Sequence, residues 1–169
     1  MARLDAQAQQ FSGDKASKTI ALHAHIYRAA SQFDAKTKCV IHTHSTHCVA
    51  LTLRAQRQAQ PELLPAVTPY FVMKVGHVPV IAYHRPGDPE AAELVARTIG
   101  RYGEAGTPIR AVMLSRLGPN VWHESPAAAM ATLEELEESA RLVGLCASAP
   151  EPLTETQINE LRQTFGARW

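Results

Sequence analysis

Cys39-Val40-Ile41-His42-Thr43-His44-Ser45-Thr46-His47-Cys48 runs from a β-branched pair into two histidines one residue apart. Val40-Ile41 reads as a strand entering a core. Successive strand side chains alternate faces, so His42 and His44 point the same way. Two imidazoles side by side suit one divalent cation, which takes histidine nitrogen at roughly 2.0–2.1 Å. The ordinary alternative is a pair of solvated polar residues on a surface strand. Ser45 is a good helix N-cap, and a strand running into a helix start commonly carries binding groups in α/β folds. His47 either faces away from the pair on a continuing strand or enters the first turn of the next helix, as a supporting group.

Outward from this stretch, the chain has 169 residues, a size that fits one domain over 1–169 with a substantial core. With 17 basic and 16 acidic residues and a net charge of +1, it lacks the electrostatic footprint of a nucleic-acid or anionic-membrane binder. No apolar run approaches the roughly 20 residues that span a bilayer, and Met1-Ala2-Arg3-Leu4-Asp5 lacks the apolar segment of a secretory signal. Three cysteines without paired metal-type spacing fit reduced thiols and a cytoplasmic location. Cys39 and Cys48 read as buried small hydrophobes.

Residues 1–16 read as polar and irregular, with turn chemistry at Ser12-Gly13-Asp14. Ser17 can cap a helix to about Ala30, with Leu22, Ile26 and Ala29 on its apolar face. A strand over 39–44 leads to a helix from Thr46 to about Gln58. Gln60 to Pro69 is a loop, and Tyr70 to Val75 is ambiguous. Val78 to Tyr83 reads as a strand whose Pro79 marks an edge or a start.

Arg85-Pro86-Gly87-Asp88 is a turn, with Asp88 and Pro89 opening a helix to about Tyr102. A strand begins at Ala111, Gly118-Pro119 makes a turn, and Val121-Trp122 a short strand. Ser125-Pro126 opens a long helix to about Cys146. Its apolar stripe is Met130, Leu133, Leu136, Ala140 and Val143, and Glu134, Glu135, Glu137 and Glu138 form a solvated face. Thr154 and Gln157 make a capping box, with Leu153 and Ile158 as its staple. Mixed elements of this kind mean an α/β/α layered domain.

Taken in order, these motifs resemble the class II aldolase/adducin family, and most of all its 3-oxo-tetronate 4-phosphate decarboxylase branch. The matching stretches are Ser12-Gly13-Asp14-Lys15-Ala16-Ser17-Lys18, His42-Thr43-His44-Ser45-Thr46 and Thr68-Pro69-Tyr70-Phe71-Val72-Met73. Further along they are Tyr83-His84-Arg85-Pro86-Gly87-Asp88, Glu134-Glu135-Leu136-Glu137-Glu138-Ser139-Ala140, and Leu153-Thr154 to Leu161-Arg162. The resemblance implies a three-layer α/β/α sandwich lacking the family's N-terminal elements, assembled as a homotetramer with active sites between subunits. It implies a lyase that cleaves or decarboxylates a phosphorylated keto-sugar or keto-acid through an enediolate. A divalent cation, zinc or alternatively manganese, would act there as a Lewis acid. On this likeness His42 and His44 are metal ligands, Ser17 and Lys18 contact the substrate phosphate, and Tyr70 is a proton donor. Read by themselves, Ser17 and Lys18 are equally a helix cap beside a solvated lysine, and Tyr70 a packed aromatic.

The chain also departs from the pattern. Relatives carry an N-terminal segment with a Gly-Asn-Ser/Thr phosphate loop, and this sequence is expected to begin after it. Thr19 stands where relatives have an acidic residue, and a hydroxyl has no pKa near neutrality for general acid–base work. Leu117, in Ser115-Arg116-Leu117-Gly118-Pro119, stands where relatives supply the last histidine ligand. His123 is a speculative replacement, while His23, His25, His77 and His84 read as helix-face or loop histidines. The alternative to a lyase is therefore a catalytically impaired member that serves as an oligomeric or regulatory module.

Overall fold

The structure is a computed structural model that describes residues 1–5, 7–54 and 61–169. Four strands form the central sheet: β3 (Cys39–His42), β6 (Gly118–His123), β5 (Ala111–Leu114) and β4 (Val80–Ile81), in that spatial order. β3 and β5 both run antiparallel to β6, whereas β4 runs parallel to β5. The β3–β6 register sets His42 opposite Asn120 and Cys39 opposite His123. Pro79 sits just before β4, where its missing N–H leaves no ladder bond unmade, and its carbonyl accepts from Met113 N at 2.9 Å.

Alternation along the strands divides the core between two faces. Ala111 and Met113 of β5 and Val121 of β6 pack with Leu133, Leu136, Ala140 and Val143 of α4 (Pro126–Leu145) and with Cys48 and Leu51 of α2 (Thr46–Leu53). Val112, Leu114 and Trp122 point the other way, onto Ile26 and Ala30 of α1 (Ile20–Ala30) and Val95 and Ile99 of α3 (Pro89–Glu104). The result is the three-layer α/β/α sandwich. The turn after α1 lies so close to α3 that a Cβ on Gly103 would stand 2.4 Å from the Phe33 ring. A third cluster seats α5 (Glu155–Phe165) through Ile158 against Ala66 and Val72. Among the described residues no helix is long and apolar enough to cross a membrane.

The helix starts follow the caps read from the sequence. Asp88 accepts from Glu90 N at 3.1 Å, Ser125 from Ala128 N at 3.2 Å, and Thr154 and Gln157 form the reciprocal box. Each such cap stabilises its helix by about 1 kcal/mol. α1 is one exception, and α2 is the other. Ser45 occupies its N-cap position, but the hydroxyl bonds Thr43 Oγ1 at 2.7 Å. The orphan N–H groups of His47 and Cys48 are met by Glu137 of α4, at 2.8 and 3.1 Å. Glu137 is thus a capping group across the layer and not part of a solvated face.

Other expectations change as well. Residues 1–16 are not irregular throughout: β1 (Arg3–Leu4) and β2 (Gln10–Ser12) pair antiparallel, strands too short and too polar to show periodicity. α1 starts at Ile20 with Thr19 at its N-cap position and no side-chain cap, so Ser17 lies outside the helix. Strand β3 stops at His42, since Thr43 turns toward the helix. The helix expected to run to about Gln58 ends at Leu53, where Arg54 turns extended, and Gln58 itself lies outside the described residues. Tyr70 to Val75 resolves as a π-helical turn, Phe71–Val75, with Tyr70 at its start. Gly118-Pro119 belongs to β6, the turn being the three residues before it. Met130 is 43% exposed, outside the stripe formed by Leu133, Leu136, Ala140 and Val143.

Candidate functional site

His42 and His44 line one cavity of about 480 Å³ between α1, the end of β3 and the turn that opens α3. Their ring centroids are 5.3 Å apart and the rings lie nearly edge to face, at 76°. Two imidazoles bound to one tetrahedral cation through bonds of ~2.0–2.1 Å would have centroids roughly 5 Å apart. His42 Nδ1 lies 3.1 Å from the Pro119 carbonyl. A donor N–H there holds the ring in the tautomer that leaves Nε2 its lone pair, the arrangement typical of metal-binding histidines. The pair therefore fits a divalent cation in spacing and in donor chemistry. Burial lowers the pKa of His42, only partly offset by the Pro119 bond, and the charge of His44 adds to the lowering. That keeps the imidazole neutral.

The backbone under the pair is fixed by Gly118. Its φ of +138° and the approach of Thr43 exclude any side chain: a Cβ would lie 1.9 Å from the Thr43 carbonyl oxygen. Leu117, just before it, lines the same cavity, as does Thr19, so both departures noted in the sequence lie at this site. Thr19 Oγ1 and Ser17 Oγ are 3.0 Å apart and bond each other. Ser17 and Lys18 line the cavity alongside Arg85, Gly87 and Asp88. Two cations, Lys18 and Arg85, thus meet a hydroxyl at its rim, a combination that suits a phosphate. Asp88 Oδ2 lies 3.9 Å from Arg85 Nε.

Four of the five predicted site residues are therefore brought together, and the fifth is not. Tyr70 is 58% exposed, lies outside the cavity, and has Lys74 Nζ 5.0 Å from its ring centroid. His123 is at the far end of the β3–β6 ladder from His42, with Nε2 2.7 Å from Arg110 Nη1. It does not replace Leu117. His47 bonds Glu137 Oε1 at 2.8 Å and is no cavity residue.

Sequence reasoning passed over two lining groups. Arg85 reads from the sequence as turn chemistry within a family-matching stretch and not as a site group. His23 was read as a helix-face histidine, yet its Nε2 is buried without a hydrogen-bond partner among the described residues. Burial lowers its pKa, and the charge of His42 lowers it further. The signal was its spacing, because His23 shares a helical stripe with the buried Ile26 and Ala30. Among the described residues, the three potential ligand groups drawn within 4.8 Å of one another are His84, Asp88 and Glu90. Asp88 there is occupied as the cap of α3.

The family model described as Class II Aldolase and Adducin N-terminal domain matches residues 1–143. The 3-oxo-tetronate 4-phosphate decarboxylase of Cupriavidus necator is 44% identical over 176 aligned positions, covering 100% of this chain and 75% of that protein. The crystal structure of YgbL from Escherichia coli superposes with a TM-score of 0.78 at 34% identity, over 95% of this chain and 72% of the other. An L-fuculose 1-phosphate aldolase shares the fold, with a TM-score of 0.73 at 22% identity over 96% of this chain and 70% of the other.

Proposed function

Because the chain belongs to the class II aldolase and adducin family, we propose that it is a metal-dependent carbon–carbon lyase acting on a phosphorylated keto-sugar acid. Decarboxylation of a 3-oxo-tetronate 4-phosphate is favoured over retro-aldol cleavage of a sugar phosphate. The observation that carries this reading is the single cavity that joins His42 and His44 to Ser17, Lys18 and Arg85. A divalent cation, zinc or manganese, held by His42 and His44 would supply Lewis-acid stabilisation of the negative charge that develops on substrate oxygen.

The chain's own residues account for the rest. Lys18 and Ser17 bind the phosphate, and Arg85 adds a forked donor at the rim. Thr19 decides between the two reactions. Retro-aldol cleavage needs a base to take a hydroxyl proton, and a threonine cannot do so near neutrality. A β-keto acid loses carbon dioxide as an already ionised carboxylate. The electron pair of the broken bond passes to the keto oxygen, and a proton is needed only afterwards. Tyr70, exposed and outside this cavity, would supply that proton to the site of a neighbouring copy in a homotetramer.

The test is carbon dioxide release from 3-oxo-tetronate 4-phosphate by purified protein with added zinc or manganese, beside a His42→Ala/His44→Ala control. Turnover lost in the control supports the lyase. No turnover, together with no cation bound above that control, would establish instead the second reading, a catalytically impaired oligomeric module. Leu117 in the cavity, at the position where the family resemblance implies a ligand, favours that alternative.

A further inference from the structure

His42 and His44 leave a cation two nitrogens short of tetrahedral coordination, and three protein ligands are usual where a fourth position stays open. The other cavity residues with a side-chain lone pair are Ser17, Thr19, His23 and Asp88. Three of these are engaged: Ser17 and Thr19 bond each other, and Asp88 caps α3 beside Arg85. His23 is not. Its Nε2 is buried and has no hydrogen-bond partner among the described residues. Buried polar atoms are nearly always partnered, and an exception asks for an explanation.

The position of His23 supplies one. It lies in the first turn of α1, whose buried face packs over the sheet layer holding Val40 and Trp122. Val40 and His42 are two residues apart on β3 and so share that face. The cavity wall then contains three imidazoles, from a helix, from the end of a strand and from the residue pair just beyond it. Their ligand atoms do not all lie within 4.8 Å of one another, so engagement requires a side-chain rotation. With Nε2 unpartnered, no hydrogen bond of that atom opposes the rotation.

We infer that His23 is the third protein ligand of a three-histidine cation site with His42 and His44, taking the place left by Leu117 and Thr19. This rests on the reading that His42 and His44 bind a cation, and it adds a ligand from a different element. A site of three neutral imidazoles carries no ligand charge. It would therefore suit zinc, cobalt or nickel and discriminate against magnesium and calcium, which favour oxygen.

The experiment is titration of the purified, chelator-treated chain with cobalt(II) alone, followed by visible absorption and calorimetry. The variants are His23→Leu, His23→Cys and His42→Ala/His44→Ala, with thermal unfolding as a check on each fold. The wild type should bind one equivalent with the intense visible bands of a low-coordinate site. His23→Leu should bind at least ~10-fold more weakly, with weaker bands. His23→Cys should restore affinity and add a thiolate-to-cobalt charge-transfer band, which a residue with a merely structural role would not create. Unchanged affinity and spectrum in a folded His23→Leu would overturn the assignment while leaving the histidine pair standing. Wild type that binds no better than His42→Ala/His44→Ala would overturn both.

Discussion

On the face of the sheet covered by α2 and α4, three buried polar side chains have partners. Thr132 Oγ1 donates to the Ala128 carbonyl, Ser139 Oγ to Glu135, and Thr52 Oγ1 both donates to Val49 O and accepts from Arg116 N. The face covered by α1 and α3 differs. Asn120 is fully buried opposite His42 with neither amide atom partnered among the described residues, and His23 Nε2 is in the same condition. One face is a finished core; the other keeps surplus hydrogen-bonding capacity around the histidine pair. A fold tolerates that cost where the groups have another use. Among the described residues, two of the three with such unpartnered atoms, His23 and Asn120, lie around the histidine pair, and the third, His77, lies elsewhere.

Three substitutions would break or sharpen the contrast. The largest effect belongs to the finished face. Leu136 is fully buried in its core, and Leu136→Ala should cost about 2–5 kcal/mol in denaturant unfolding. On the other face the sign should reverse. Asn120→Leu replaces an unpartnered amide with an apolar group of similar volume and should raise stability by about 1–3 kcal/mol, read as an upward shift of the thermal midpoint. A fall in the midpoint would mean that the Asn120 amide is satisfied and the asymmetry is less than drawn.

The smallest effect tests the bridge between α2 and α4. Burial would raise the Glu137 pKa, but the N–H groups of His47 and Cys48 outweigh it and hold the carboxyl below its usual range. A depressed carboxylate pKa contributes stability above its unfolded value of about 4.3 that is lost as pH falls through the folded value. Glu137→Gln should therefore cost about 1 kcal/mol at neutral pH and remove that part of the acid limb. Unfolding midpoints compared at pH 7 and pH 3.5 check both the size and the sign.

Much of this was legible in the residues. Asp88-Pro89, Ser125-Pro126 and Thr154 to Gln157 marked three helix starts, because caps and prolines act locally. The His42–His44 pair stood out because its spacing survives even though the strand ends at His42. What escaped depends on partners distant in sequence. Glu137 looks like its acidic neighbours until α2 is laid against α4. Gly118-Pro119 looks like a turn, and only the passage of Thr43 explains why a glycine opens the strand. The β1–β2 pair has no apolar alternation to detect. His23 was legible in principle, through its stripe with Ile26 and Ala30, but its unpartnered nitrogen is a three-dimensional fact.

The contact between Gly118 and Thr43 has a consequence for dynamics. The strand that carries His42 is pinned to β6 twice, by the His42 ring on Pro119 and by the backbone passing over Gly118. A slip of one residue between β3 and β6 would turn every side chain of the pair to the other face and take the ring from its carbonyl. The ring nitrogens of His42 are thus a natural probe of strand register. Their NMR signals would report a sliding sheet, on any timescale slow enough to resolve, before the helices had begun to melt.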